Sequence, residues 1–356
     1  MFRKHVKPKK QHELVRMAAV SDVLSSAAEL TDCDCLIDIG AGVGHLARLL
    51  SYGRGKKVVC VDTEADFTSS AKRFDRDLAK AVAKKGEKTD EYEDGKGNAV
   101  KSDNPPRHVT FRLEADMDIG LLESRLASHF GDAEGDGFGV VGLHTCGDLG
   151  ALLVKLFAES ERAAYLQSVP CCYMIGGTLF PMSQHVRSAP WHSLSFSARE
   201  LACHAIETYV ERLLTDDKDV FDKLKTHCYR ATLETVIVGK GRPDLRQTSL
   251  KTVAHAHRLS FADYAARATS RLQSAVCFDR EADFESKGVR ECMSRWWDVV
   301  SLYSLRLCFA PVVETVMLLD RCLYLKESGV DNVSLLPIFD PAQSPRNSVI
   351  VATKKH

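Results

Sequence analysis

Two groups of residues in the 356-residue sequence have types and spacings suited to chemistry. The first lies between Cys35 and Leu50, where an apolar run ends in Asp38 and gives way to Gly40, Gly42 and Gly44. Alternate glycines let the backbone take positive φ and let a ligand lie against it with no Cβ in the way. Apolar spacing turns helical at Leu46, Leu49 and Leu50, so a strand, a tight turn and a helix start follow one another. The helix start offers free amide N–H groups to whatever sits above the turn. A second apolar run, KKVVCVD, ends in Asp62, 24 residues after Asp38. A carboxylate at that place takes both hydroxyls of a ribose. Asp38, just ahead of the first glycine, repels a phosphate and welcomes an amino group or a hydroxyl.

Together the pair reads as a site for S-adenosylmethionine, with Asp38 near its cationic amino-acid part and Asp62 on its ribose. His45 and Leu46, directly after the third glycine, belong to the same expected cofactor site. HVTFRLEADM alternates at Val109, Phe111 and Leu113 and predicts a third strand, ending at Asp116 for the amino group of the adenine, with Met117 beside it. The competing reading is an α/β fold whose glycines only make a tight turn. A nicotinamide site is compatible with the glycines alone, but Asp38 speaks against it.

The second group lies in FGVVGLHTCGDLGALLVKLF, where an apolar strand, Val140 to Leu143, stops at His144, Thr145, Cys146, Gly147 and Asp148. Helical spacing resumes at Leu149, Leu152, Leu153, Leu156 and Phe157. Titratable side chains at the carboxyl end of a strand in an open α/β sheet lie beside the ligand crevice. His144 suits removal of a proton from a hydroxyl or amine, or is a satisfied structural histidine. Asp148 orients it, hydrogen-bonds a substrate, or caps the helix. A fifth strand, AAYLQSVPCCYMIGG, ends in Cys171, Cys172 and Tyr173, the tyrosine placed to stack on a base or on the adenine of the cofactor. Cys171 and Cys172, with His144, Cys146 and Cys203-His204, have the chemistry to ligate zinc. The paired C-x-x-C spacing of structural sites is missing, so buried thiols are the reading and no metal is assigned.

The elements that position these groups follow from periodicity and punctuation. Residues 1–30 are read as a basic tail with Arg3, Lys4, Lys7, Lys9 and Lys10, then a helix over Gln11 to Leu30. Residues 31–178 form the core α/β domain, with a helix over Phe67 to Lys85 and a charged insert at about 84–107, rich in glycine and carrying Pro105–Pro106, that is expected to be disordered. Residues 179–328 are predicted as a helical insertion. In it SARELACHAIETYVERLL and DVFDKLKTHCYRATLETVIVG are each one helix, SFADYAARATSRL is capped by Ser260, and RWWDVVSLYSLRLCFAPVVETVMLLDRCLYL is a long helix, or two broken at Pro311. Residues 329–356 supply two strands, VSLLPIFDP and NSVIVATKK, as an antiparallel edge pair.

Lys+Arg and Asp+Glu both total 48, so no overall basic field exists and a nucleic acid must meet a local patch. Twelve cysteines, scattered and with no signal peptide ahead, read as reduced thiols and point to a cytoplasmic or nuclear, not secreted, protein. The apolar stretch 302–325 carries Arg306, Glu314, Asp320 and Arg321, which argues for a core helix and against a membrane span.

The blocks KKQHEL, DIGAGVGHL, LHTCGDL, VPCCY, PMS, RELACHA, YRATLE and APVVETVMLLDRCLYL resemble the family of methyltransferase-like proteins that includes methyltransferase-like 25 and the proteins named ribosomal RNA adenine dimethylase domain-containing. The likeness runs from about Pro8 to the C-terminus, with the charged insert unmatched. It implies a class I, Rossmann-like methyltransferase fold: a mostly parallel sheet with a C-terminal antiparallel strand pair and a helical insertion after the fifth strand. Family members are longer at the N-terminus, so a leading helical region is expected beyond this chain. LHTCGDL and VPCCY are also similar to blocks of the eukaryotic tRNA acceptor-stem 2′-O-methyltransferases. That likeness implies that His144, Cys146, Gly147 and Asp148 lie where a methyl acceptor enters and that Cys171, Cys172 and Tyr173 flank it. An adenine dimethylase would carry Asn/Asp-Pro-Pro-aromatic after the fourth strand, and this chain has His-Thr-Cys-Gly-Asp instead.

The expected function is S-adenosylmethionine-dependent methyl transfer to RNA, at a ribose hydroxyl or a base, with His144 as the base and Asp148 assisting. The rivals are a silent cofactor-binding protein whose helical insertion docks a protein partner, and a methyltransferase for a protein side chain or a metabolite.

Overall fold

The computed structural model describes residues 6–28, 35–86, 104–130, 137–177, 179–190, 192–245, 250–272 and 275–354. The chain opens with α1 (Pro8–Ala27). It then alternates β1 (Cys35–Ile39), α2 (His45–Arg54), β2 (Lys57–Asp62), α3 (Ala65–Gly86), β3 (Arg107–Thr110), α4 (Ile119–Ala127), β4 (Phe138–Thr145), α5 (Asp148–Glu159) and β5 (Ala163–Pro170). β6 (Asn332–Pro337) and β7 (Ser348–Thr353) close the sheet in the order β3-β2-β1-β4-β5-β7-β6. The first five strands are parallel. β7 runs antiparallel to β5 and to β6. This is the class I methyltransferase architecture.

Side chains alternate across β1 because a strand has a period of two. Cys35, Ile37 and Ile39 pack one face of the sheet with Val59, Val61, Leu153 and Phe157. Leu36 packs the other with Leu14 and Met17 of α1 and Leu46 and Leu50 of α2. Every residue of β4 except His144, and every residue of β5, is buried. The buried Gln167 of β5 is satisfied by α1: it accepts from Ser21 Oγ at 2.7 Å and donates to the Met17 carbonyl at 3.0 Å.

Several elements differ from expectation. Helix α1 begins at Pro8, whose fixed φ suits a first helical turn, so Lys9 and Lys10 are helical rather than part of a solvated tail. The third strand stops at Thr110, not Asp116: its last partner on β2 is Asp62, and once β2 turns away residues beyond Phe111 have no ladder to join. The charged insert falls mainly at 87–103, outside the described residues; α3 carries residues 84–86.

By contact clustering the chain divides into two units, residues 1–203 with 312–356, and 204–311. The expected helix 197–214 is two, α7 (Phe196–Leu201) and α8 (Ile206–Leu213), and the unit boundary falls in the break between them. Before it comes the short α6 (Gln184–Arg187). The second unit continues with α9 (Lys218–Asp222), α10 (Lys225–Gly239), α11 (Phe261–Ala268), α12 (Lys287–Ser294) and α13 (Trp296–Leu307) around Tyr229, Leu233, Phe261, Tyr264 and Phe284. A last helix, α14 (Ala310–Glu327), follows a break at Cys308–Phe309, with Pro311 in its first turn. The Trp296–Glu327 stretch is apolar and long enough to cross a membrane by composition, and 22% of the window is buried, so it is less a core helix than expected. Its Asp320 is nonetheless buried in protein, accepting from Met182 N, Ser183 N and Ser183 Oγ at 2.7–3.0 Å.

Candidate active site

The glycine turn folds back on the end of β2. Gly40 N and Ala41 N both donate to the Val61 carbonyl, and Gly42 N donates to Asp62 Oδ2 at 2.8 Å. The other oxygen of Asp62 accepts from Glu64 N at 3.0 Å, so two backbone amides fix the plane of the carboxylate. Gly42 has φ +56°, and a Cβ there would point into open space, so it is the backbone conformation and not crowding that calls for glycine. Behind the turn, buried Arg48 donates to the Val43 carbonyl at 2.6 Å and to Asp75 at 2.9 Å, and His108 meets the second Asp75 oxygen at 2.6 Å. This charged triad holds the turn from below. Sequence reasoning missed it, although Arg48 stands out as a cation among Leu46, Leu49 and Leu50 on an otherwise apolar helix face.

Asp38 is 2% exposed. Burial pushes its pKa up to about 7, with Lys10 working against the rise and Asp62 adding to it. Its Oδ2 has no hydrogen-bond partner among the described residues. A buried carboxylate oxygen without a partner is costly unless something binds it. Ile39 and Gly40, immediately after it, line a cleft, so a cationic group entering there has a counter-charge behind the wall.

That cleft, about 540 Å³, is walled by Ile39, Gly40, Val61, Asp62, Thr63, Glu64, Phe111, Arg112, Leu113, Cys146, Asp148, Leu149, Leu152, Ile175 and Gly176. It opens at the carboxyl ends of the strands, where β1 and β4 run side by side and the connections turn off in opposite directions, the place at which open α/β sheets take ligands. Gly40 and the fixed carboxylate of Asp62 on the wall, with the unpartnered oxygen of Asp38 buried behind it, fit the ribose diol and the ammonium group of S-adenosylmethionine. Four expected cofactor contacts fall elsewhere. Leu46 is in the core and His45 stacks on Phe74, both facing away from the cleft wall. Asp116 is exposed in a turn beyond the strand, and Met117 folds back on Glu114. Phe111, Arg112 and Leu113 hold the place expected for Asp116, because β3 ends early.

β4 carries His144 one residue before its end, and Cys146 and Asp148 just beyond it line the cleft while His144 itself does not; its φ is +66°, a left-handed conformation uncommon for a residue with a Cβ. Its Nε2 lies 2.9 Å from Glu13 Oε2 of α1. Ser344 Oγ donates to the other Glu13 oxygen at 2.6 Å. Burial alone would raise the Glu13 pKa, but the bonds to His144 and Ser344 hold it below the usual carboxylate range. Glu13, then, and not Asp148, is the carboxylate partner of His144. No local signal marks it, since it lies 131 residues away in sequence. Asp148 lines the cleft and accepts from Gly177 N at 2.8 Å. The helix N-cap position is Gly147 and Asp148 lies in the first turn, so of the roles open to Asp148 capping is not the one taken.

Gly147 ties two loops together. Its N–H donates to the Cys172 carbonyl at 2.7 Å, its φ is +58°, and a Cβ there would stand 2.1 Å from the Ile175 carbonyl oxygen. The closure brings Cys146 Sγ within 3.1 Å of Cys171 Sγ, with Cys172 Sγ 3.6 Å from Cys171. The hydrogen-bonded Cys171 thiol lowers the Cys146 pKa to about 6 against the effect of burial, with Cys172 and His144 adding to it, whereas Cys171 is pushed far up. Tyr173 is not at the crevice. Its ring is buried with Ala202 and Met317 and its hydroxyl donates to Glu314 at 3.0 Å, so it cannot stack on a ligand. The ring turns inward because its two sequence neighbours, Cys172 and Met174, are tied to Gly147 and Cys203.

Residues 9–175 match the family model described as a methyltransferase domain. The probable methyltransferase-like protein 25 of Mus musculus is 28% identical over 240 residues, 61% of this chain and 37% of that protein. The Homo sapiens protein of the same name is 27% identical over 238 residues, again 61% of this chain and 37% of that one. The chain therefore spans under two fifths of the length of the curated relatives it matches. Among solved structures, the magnesium protoporphyrin IX methyltransferase of Synechocystis PCC 6803 is 17% identical, over 47% of this chain and 65% of that one, with a TM-score of 0.26, too loose a likeness to carry weight.

Proposed function

We propose that residues 9–175, which match a methyltransferase domain, bind S-adenosylmethionine in a class I fold and that the protein transfers the methyl group to an RNA nucleoside. When bound, S-adenosylmethionine supplies an electrophilic methyl carbon on a sulfonium, so the protein's task is mainly in-line alignment. Asp62 would hold the ribose, and Asp38 would face the ammonium from behind Gly40. Phe111, Leu113, Leu149 and Leu152 offer apolar walls for the base. His144 would take the acceptor proton, with Glu13 holding the ring in place.

The observation that supports an RNA acceptor is the basic start of α1. Lys9 and Lys10 occupy a first helical turn, where cations oppose the helix dipole. Lys9 Nζ lies 3.7 Å from Glu13 Oε1, the carboxylate bonded to His144, so this basic end of the helix stands beside the proposed base, where half-exposed Lys9 would meet a phosphate flanking an acceptor. A second reading has its own observation. The cleft wall carries Asp62, Glu64 and Asp148 against Arg112, a balance that favours an uncharged or cationic acceptor such as a protein side chain or a metabolite.

The test is transfer of labelled methyl from S-adenosylmethionine to total RNA, to nuclease-treated protein extract and to a small-molecule fraction. Label in RNA is expected, falling about 10²- to 10⁴-fold in His144→Ala and sharply in a Lys7, Lys9, Lys10 triple Glu variant. Label in protein or small molecules alone selects the second reading. Cofactor binding without transfer to any fraction makes the protein a silent binder, and full activity in His144→Ala removes the proposed base.

A further inference from the structure

The sulfur atoms of Cys146, Cys171 and Cys172 all lie within 4.8 Å of one another. Two separations are 3.1 and 3.6 Å. Thiolates around tetrahedral zinc, at Zn–S of about 2.3 Å, stand about 3.8 Å apart, so these three sulfurs need shift by only a few tenths of an ångström to about an ångström. They are far from the about 2.05 Å of a disulfide, and a bridge between vicinal cysteines is strained. The backbone presents them from two loops locked together: the Cys172 carbonyl accepts from Gly147 N at 2.7 Å and the Cys171 carbonyl from Arg346 Nε at 3.1 Å. All three cysteines are partly exposed, and Cys146 forms part of the cleft wall, which gives an ion a way in.

We infer that Cys146, Cys171 and Cys172 bind a zinc ion through three thiolates, leaving a fourth position for water or an incoming acceptor. Soft thiolate donors favour zinc over hard cations. Neighbouring donors are committed elsewhere: His144 to Glu13 at 2.9 Å, and Cys203 Sγ to Tyr173 N at 3.2 Å. Three thiolates with an open position is a site that lies beside the chemistry instead of staking the fold, in contrast to the closed four-ligand sites of structural zinc.

Metal analysis of the full chain, purified without chelator or histidine tag, is expected to find about one zinc per chain. Reduced apoprotein titrated with cobalt(II) should develop thiolate-to-cobalt charge-transfer bands that added zinc abolishes. The bands should vanish in Cys146→Ser and in Cys171→Ser and persist in Cys277→Ser, an exposed cysteine of the second unit. Zinc well below stoichiometry with no cobalt–thiolate bands, bands unchanged in Cys146→Ser, or a Cys146–Cys171 disulfide in protein isolated without oxygen would each overturn the site. Should a serine variant not fold, the wild-type cobalt spectrum decides by itself.

Discussion

The two sides of the cleft are built on different physical terms. On the β1–β2 side the backbone does the positioning, with amides of Gly42 and Glu64 on Asp62, and a buried Arg48–Asp75–His108 triad bracing the turn from behind. On the β4–β5 side positioning comes from side chains and from sharp backbone turns at His144 and Gly147, with partners drawn from both ends of the sequence. A ligand common to all enzymes of the class calls for the first kind of construction. An acceptor particular to one enzyme calls for the second, in which partners can be exchanged without disturbing the sheet.

The largest effect is expected where the first side is braced. Asp75→Ala leaves Arg48 and His108 buried without their anion and should cost about 3–5 kcal/mol in denaturant unfolding. A loss under about 1 kcal/mol would mean that the triad is not structural. Next come two glycines with nearly equal φ and opposite surroundings. Gly147→Ala meets the Ile175 carbonyl and should lower stability by more than the about 1–2 kcal/mol of the left-handed conformation alone. Gly42→Ala meets nothing, so it should cost no more than that conformational term, yet weaken S-adenosylmethionine binding at least about tenfold, equivalent to 1.4 kcal/mol. Equal thermal shifts for the two variants, with unchanged binding in both, would erase the contrast.

A separate effect on the first side is a pH dependence at Asp38. Its pKa, raised from 3.8 to about 7 by burial, means that between those values the unfolded chain has released a proton that the folded chain keeps. Stability from this group therefore falls as pH rises across that window and levels off above 7. Asp38→Asn should remove the slope and be more stable than wild type above neutrality. Cofactor binding runs the other way, because the ammonium needs the ionised carboxylate: wild-type affinity should rise with pH through about 7 and that of Asp38→Asn should stay flat. Calorimetric titration on both sides of neutrality, beside thermal melts, checks both slopes.

The first side was legible in the sequence because glycine spacing and carboxylates at strand ends are local facts. Asp38, Gly42 and Asp62 could be placed by counting along the chain. Asp116 was misplaced because alternation at Val109, Phe111 and Leu113 says that a segment is extended, not that it has a partner strand; the partner had already ended at Asp62. On the second side the sequence located His144, Cys146, Asp148 and the two vicinal cysteines at strand ends, but not their partners. Glu13, Ser344, Arg346 and Glu314 reach them only through the fold, and Tyr173, polar enough for a crevice, turns inward to Glu314.

Glu13 bonds to a histidine 131 residues on and to a serine 331 residues on. During synthesis the glycine turn can close on Val61 and Asp62 as soon as the second strand emerges, but the histidine's bonded carboxylate gains its second anchor only after the segment carrying Ser344 has left the ribosome. A nascent chain would thus close its glycine turn well before it acquires a fully seated His144, an order of events built in by contact distance along the polypeptide.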